Sequence, residues 1–147
     1  MKYAMLEETE RADHLHTGAC LCGEVRFALR EVPSAVMCHC SQCRKAQGAA
    51  FACNFPINIE SFRLISGLGF LKDYRSSANK VRVFCRNCGS PLWSVREGSN
   101  DIRIRSGLLD NKLLVSPHAH IFAQDCPKWS PIKDSLPVYE RFEPGRK

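Results

Sequence analysis

Hydrophobic and polar residues alternate in short runs along most of the chain, and no long amphipathic helix is visible. Residues 24–30 set the pattern, with Val25, Phe27 and Leu29 on one face of a half-buried strand that Glu31-Val32-Pro33-Ser34 ends. Residues 49–55 repeat it, placing Phe51, Cys53 and Phe55 together before Pro56 breaks the run. Further strands are predicted at 62–65 and 70–74 around Ser66-Gly67, and at 80–84. Two more fall at 92–95 and 101–105, separated by the turn signal Glu97-Gly98-Ser99-Asn100. In the last of these, Arg103 and Arg105 alternate with Ile102 and Ile104, as on the wet face of a strand. One helical turn is predicted at 44–48, closed by Gly48. The chain is polar and unpatterned up to His16, and it turns irregular and proline-rich after Phe122. Many short strands between turn signals predict a mainly β fold. The expected layout is a flexible N-terminal tail at 1–16, one domain at 17–140, and a C-terminal tail at 141–147.

Composition narrows the function classes. A chain of 147 residues suits one domain. No apolar run approaches the roughly 20 residues of a membrane span. The N-terminus turns acidic at once, unlike a secretory signal, so a cytoplasmic protein with no membrane partner is expected. Nine cysteines are many and odd in number. A disulfide framework leaves one unpaired and a reducing cytosol disfavours it, so metal binding is the better reading. The net charge of +6 is dispersed rather than run together. That suits an anionic small molecule at least as well as nucleic acid, which is not the expected partner.

The cysteines fall into groups. Cys20-x-Cys22-Gly23 and Cys85-x-x-Cys88-Gly89 sit beside strands, and each ends in a glycine that lets the backbone turn tightly and aim N–H groups at sulfur. Four thiolates close a tetrahedron, so these four predict a structural zinc. Cys38-His39-Cys40-Ser41-Gln42-Cys43 places three thiols within six positions. In an extended segment Cys38 and Cys40 point the same way, and a turn brings Cys43 round to meet them. Three ligands leave a tetrahedral ion one short, which marks an open, reactive site. The fourth corner stays open between a substrate, His39 and Cys126. Ligation by His39 or a distant group gives two closed structural zincs instead. His39 is expected to point away, and His118 or His120 is each able to approach the metal. Cys53 reads as a small core residue.

These motifs, with Gly48-Ala49-x-Phe51 and the late His120-Ile121-Phe122…Trp129, resemble the glutathione-dependent formaldehyde-activating enzyme family, which includes centromere protein V-like members. The resemblance runs from about Thr17 to Tyr139 and includes all seven cysteines of the pattern; Cys126 is not one of them. It implies a single zinc-stapled β domain of short antiparallel sheets, of β-tent type. It implies two zinc ions per chain, one structural on Cys20, Cys22, Cys85 and Cys88, and one catalytic on Cys38, Cys40 and Cys43. It further implies a carbon–sulfur lyase that joins glutathione to formaldehyde, giving S-hydroxymethylglutathione.

Charge bears on the chemistry. Zinc with three thiolates has a formal charge of about −1, a poor setting for splitting water. Holding an incoming thiol as thiolate and presenting it to a small carbonyl compound fits better. Arg44 and Lys45, next to the triplet, are placed to offset the negative charge or to meet the carboxylates of a glutathione-like thiol; Arg44 is the expected cofactor-binding residue. The competing reading is a non-catalytic, zinc-stapled module that binds protein or nucleic acid, for which Arg141 and the terminal Arg146-Lys147 offer a short basic end.

Overall fold

The computed structural model describes residues 3–112 and 114–145. Val25, Phe27 and Leu29 are fully buried as their alternation predicts, but Ala28 is buried too, because strand β2 (Arg26–Leu29) is covered on both faces. It lies between β1 (His16–Ala19) and β5 (Phe62–Ser66) in a three-stranded antiparallel sheet. The second sheet contains β3 (Ala35–Cys38), β4 (Ala52–Asn58), β6 (Leu71–Ser77), β7 (Lys80–Cys85), β8 (Pro91–Arg96), β9 (Asp101–Arg105) and β10 (Pro117–Ile121). Its order is β10-β3-β4-β9-β8-β7-β6. All of its pairings are antiparallel except β10 with β3, which is parallel.

Aromatic rings join the sheets. Trp93 of β8 meets Phe27 and Phe62 edge-on, with centroids 5.8 and 4.9 Å away. Rings this size supply much of the apolar burial that stabilises a domain. Tyr3 closes the box: its ring lies 5.3 Å from Trp93, and its hydroxyl accepts the indole N–H at 2.9 Å. Leu6 and Ala4 also pair with Leu64 of β5. Residues 3–6, inside the expected N-terminal tail at 1–16, thus dock on the small sheet. A core of this size gains from another half-buried ring even where no strand pattern announces it.

Two other local expectations change. Pro56 sits inside β4 rather than ending it. There β3 has already stopped pairing, its contacts running only from Ala52 to Asn54, so the missing N–H breaks no second ladder. The helical turn after the triplet is a full α1 (Ser41–Gln47), and it begins inside the cysteine motif. Gly48 closes it in the left-handed conformation at φ 65°. A second, smaller core of Val36, Cys38, Cys43, Ala52, Ala119 and Ile121 surrounds the start of this helix. The basic end at Arg146-Lys147 lies outside the described residues. Of the preceding residues, Phe142 packs edge-on against Phe122 at 4.8 Å. Among the described residues no helix is long and apolar enough to cross a membrane.

Candidate metal centres and the cavity beside them

The two cysteine groups assemble as their spacing predicts. The Sγ atoms of Cys20, Cys22, Cys85 and Cys88 all lie within 4.8 Å of one another. A zinc–sulfur bond of about 2.3 Å implies tetrahedral S···S edges of about 3.8 Å. The Cys20–Cys22 and Cys22–Cys85 separations are 3.5 and 3.8 Å, so this donor set fits a zinc ion. Gly23 and Gly89, at φ 82° and 79°, make the tight turns that each half-site needs. Val25 donates its N–H to Cys20 Sγ at 3.3 Å. The Ser90 hydroxyl, 3.2 Å from Cys88 Sγ, holds that thiol down at about 5. Burial pushes the Cys85 thiol the other way, to about 11. Cys22 is exposed, while Cys20 and Cys85 are buried.

Cys38, Cys40 and Cys43 form the second group, again with all Sγ atoms within 4.8 Å. Each comes from a different local device. Cys38 ends β3, Cys40 is the N-cap of α1, and Cys43 lies in its first turn. Cys40 Sγ accepts the Cys43 N–H at 3.3 Å, so one sulfur both caps the helix and joins the cluster. Hydrogen bonds from Cys38 and Cys40, and then the positive charges of Lys80 and Arg82, hold the Cys43 thiol far below its usual range. Hydrogen bonds with Cys40 and Cys43, and then burial, push Cys38 up, because crowded thiols cannot all ionise without a cation. Three soft donors in this state fit a zinc ion with one corner left for another ligand.

His39 points away from the sulfurs, as expected, and it is fully buried. Its Nε2 lies 2.9 Å from Nδ1 of His120, whose Nε2 in turn meets both carboxylate oxygens of Asp134 at 3.0 and 2.9 Å. With His120 neutral, its Nε2–H donates to Asp134 and its Nδ1 accepts from His39. Burial, then the neighbouring His120, holds the His39 pKa below its ordinary value. The His120 hydrogen bond lowers that of Asp134. This chain pins the ligand loop to β10 and to the segment beyond it. His118 is exposed and takes no part. Cys126 turns its thiol to the Ser130 carbonyl at 3.4 Å and joins neither cluster. Cys53 packs against the main core, with its thiol pushed up by burial.

A cavity of about 320 Å³ opens on the triplet. Cys38, Cys40 and Cys43 form one wall, and Lys80, Arg82, Arg96, Arg103 and Arg105 project into it from β7, β8 and β9. Arg44 and Lys45 are not among its lining residues. The wet face expected for Arg103 and Arg105 is thus the floor of the cavity: Arg105 is only 4% exposed and Arg82 only 8%. Arg82 reaches Cys43 Sγ from 3.8 Å, while its Nη1 is buried with no partner. Burial, opposed by the Cys43 thiolate and aided by Arg82 and Arg105, lowers the Lys80 amine to about 8. Phe122, at φ 53°, and Phe142 complete the rim.

The sequence does contain a signal for this floor. Lys80-x-Arg82, Ser94-x-Arg96 and Arg103-x-Arg105 each place two polar side chains on one strand face. Only the register joins them, with Lys80 opposite Arg96, Arg82 opposite Ser94, and Ser94 opposite Arg103.

Fold and site together define a β protein with two cysteine clusters, one of four and one of three, the latter facing a cationic cavity. The chain matches the glutathione-dependent formaldehyde-activating enzyme family over residues 15–125 and belongs to it. It is 27% identical over 117 residues to an uncharacterized lyase of Schizosaccharomyces pombe, covering 76% of this chain and 81% of the relative. Family and relative together support a lyase. The fold also resembles the crystal structure of a Rhodobacter sphaeroides protein, with a TM-score of 0.57 and 24% identity over 69% of this chain and 97% of that one.

Proposed function

We propose that the protein is a carbon–sulfur lyase that joins a glutathione-like thiol to a small carbonyl compound such as formaldehyde, or releases it, in a reducing compartment such as the cytoplasm. The observation that carries this reading is the placement of Cys38, Cys40 and Cys43 in the wall of a cavity whose floor is cationic. Cys20, Cys22, Cys85 and Cys88 would hold a structural zinc, and the triplet a reactive one. A zinc ion held by Cys38, Cys40 and Cys43 would supply the positive charge that favours the thiolate form of an incoming thiol.

The chain's own residues do the rest. Arg82, beside Cys43, and the buried Arg105 offset the negative charge that accumulates when a fourth sulfur joins three. In the addition, the substrate sulfur forms a bond to the carbonyl carbon, the C=O π pair moves to oxygen, and that oxygen gains the proton the thiol gave up. Lys80, with its amine lowered to about 8, is suited to carry that proton, because proton transfer is most effective near the working pH. The Asp134–His120–His39 chain keeps the ligand loop from shifting as ligands enter and leave. Arg44 lies outside the cavity lining, and its proposed part is to balance charge from behind the cluster.

The inward convergence of the cations also favours this reading over a binding module, whose basic residues belong on an outer face. The test is exchange spectroscopy on mixed formaldehyde and glutathione with zinc-loaded protein. Faster interconversion with S-hydroxymethylglutathione, lost in Cys40→Ser, is expected. Exchange at the spontaneous rate with wild-type protein overturns the proposal.

A further inference from the structure

A second cavity, of about 340 Å³, lies one turn further along α1 than the triplet. Ala46 stands exposed at its edge, three residues after Cys43 and on the same side of the helix. The sheet supplies Tyr74, Phe84 and Pro91 to its walls. Tyr74 faces Arg82 across the β6–β7 ladder, and Phe84, two residues on from Arg82, shares that strand face. Neither ring is packed away, since Tyr74 is 63% exposed and Phe84 is half-buried. The space falls within the roughly 300–1,000 Å³ of small-molecule pockets, and apolar walls with a few polar groups are their usual make-up.

Among the described residues lining this cavity, the charged ones are Arg82 and Arg105, which border the triplet's cavity too. Both are guanidiniums, and no carboxylate stands with them in the lining. Arg105 Nη1 donates to the Arg103 carbonyl at 3.4 Å, and Arg82 Nη2 is turned to Cys43 Sγ. Arg82 Nη1 has no partner. A buried donor on a charged group is costly to leave unpaired, and an acceptor beside it relieves that cost.

We propose that this cavity is a binding site for a small aromatic carboxylate, its ring against Tyr74, Phe84 and Pro91 and its carboxylate on the Arg82 guanidinium. A neutral aromatic leaves the guanidinium unpaired, and an anion without a ring leaves the apolar walls uncovered, so the site selects for both features together. The site stands apart from the proposed thiol chemistry, but its effect rests on that reading. Arg82 is the charge proposed to offset the sulfurs, so a bound acid competes with them for it and should slow the lyase reaction.

The test titrates benzoate, benzamide and acetate calorimetrically into zinc-loaded wild-type protein, Ala46→Phe and Arg82→Met. Ala46→Phe fills the cavity from an exposed helix position, and zinc content with melting curves establishes that each variant is folded. Wild-type protein should bind one benzoate per chain at least tenfold more tightly than benzamide or acetate. Ala46→Phe should abolish that binding, and Arg82→Met should bring benzoate down to the affinity of benzamide. Equal binding of benzoate and acetate by wild-type protein overturns the site. Benzoate binding that survives in Ala46→Phe also overturns it, because the acid is then held in the triplet's cavity. Benzoate should slow glutathione–formaldehyde exchange by wild-type protein and leave Ala46→Phe, whose basal exchange is unchanged, unaffected. Binding that Ala46→Phe abolishes, with no slowing of exchange, leaves the site standing and removes its effect on the triplet. Exchange at the spontaneous rate without benzoate removes the lyase reading and leaves the binding result intact.

Discussion

Replacing one sulfur in each cluster should separate the two centres by their effect on stability. Cys22 is the most exposed member of its cluster, so Cys22→Ser removes a ligand without opening the core. Zinc-finger peptides hold structural zinc with about 10–16 kcal/mol, or about 3 kcal/mol per ligand if shared among four. For a domain of this length each kcal/mol shifts the midpoint by about 2–4 °C, so the variant should melt roughly 6–12 °C lower. Cys85→Ser, at a fully buried position, should do worse and accumulate as insoluble protein. Cys40→Ser is a different perturbation. Its position is the N-cap of α1, where serine is among the best residues, so the hydrogen bond to the Cys43 N–H survives. Its midpoint should fall by no more than about 3 °C even though turnover is abolished. The assay is a melt monitored by circular dichroism, with zinc per chain measured by a chromogenic chelator. Equal destabilisation by Cys22→Ser and Cys40→Ser, with equal zinc loss, would refute the division into a closed and an open site.

Other tests address the cavity and its supports. Arg82→Met should lower kcat/KM at least tenfold while leaving the melting midpoint unchanged or raised, because it removes a buried charge with an unpartnered Nη1. The Lys80 amine is depressed to about 8 in the folded protein and returns to about 10.5 on unfolding. The unfolded chain therefore binds more protons between these values, and stability should rise as pH increases from 8 toward 10.5. Melts of Lys80→Met across that range should lack the rise, and a parallel rise in the variant would assign it elsewhere. His120→Ala, which cuts the link from Asp134 to His39, should speed chelator capture of one zinc per chain and leave the second zinc as slow as in wild-type protein. If both zincs are captured at unchanged rates, the histidine chain does not support the ligand loop.

The cysteine clusters were legible in the sequence because the triplet, and each half of the four-cysteine group, comes from a short spacing, where local geometry decides which side chains meet. The cationic floor was not. Arg103 and Arg105 have the alternation of an exposed strand face, and nothing local distinguishes water from a cavity. Burial follows from β8 and β7 lying alongside and α1 lying across, contacts set by long-range pairing. Strands β5 and β6 show the same limit. They flank Ser66-Gly67 like the arms of a hairpin, yet belong to different sheets. Gly67 makes the switch at φ 93°, so close to the segment leading into β2 that a Cβ there would lie 2.4 Å from the Glu24 oxygen. The docking of Tyr3 was invisible for another reason. A lone aromatic in a polar stretch carries no period, and only the partner ring of Trp93, 90 residues on, explains it.

The parallel pairing of β10 with β3 has a consequence during synthesis. His39 meets its partner His120 only after 81 more residues have been made, and Asp134 follows later still. At translation rates of 5–20 residues per second, roughly 4–16 s pass between the emergence of the triplet and that of the strand that covers it. Through that interval β3 can pair with β4 on one side only, and the edge that β10 later covers stays open beside the three thiols. Early capture of a metal ion would protect them from oxidation before the fold can.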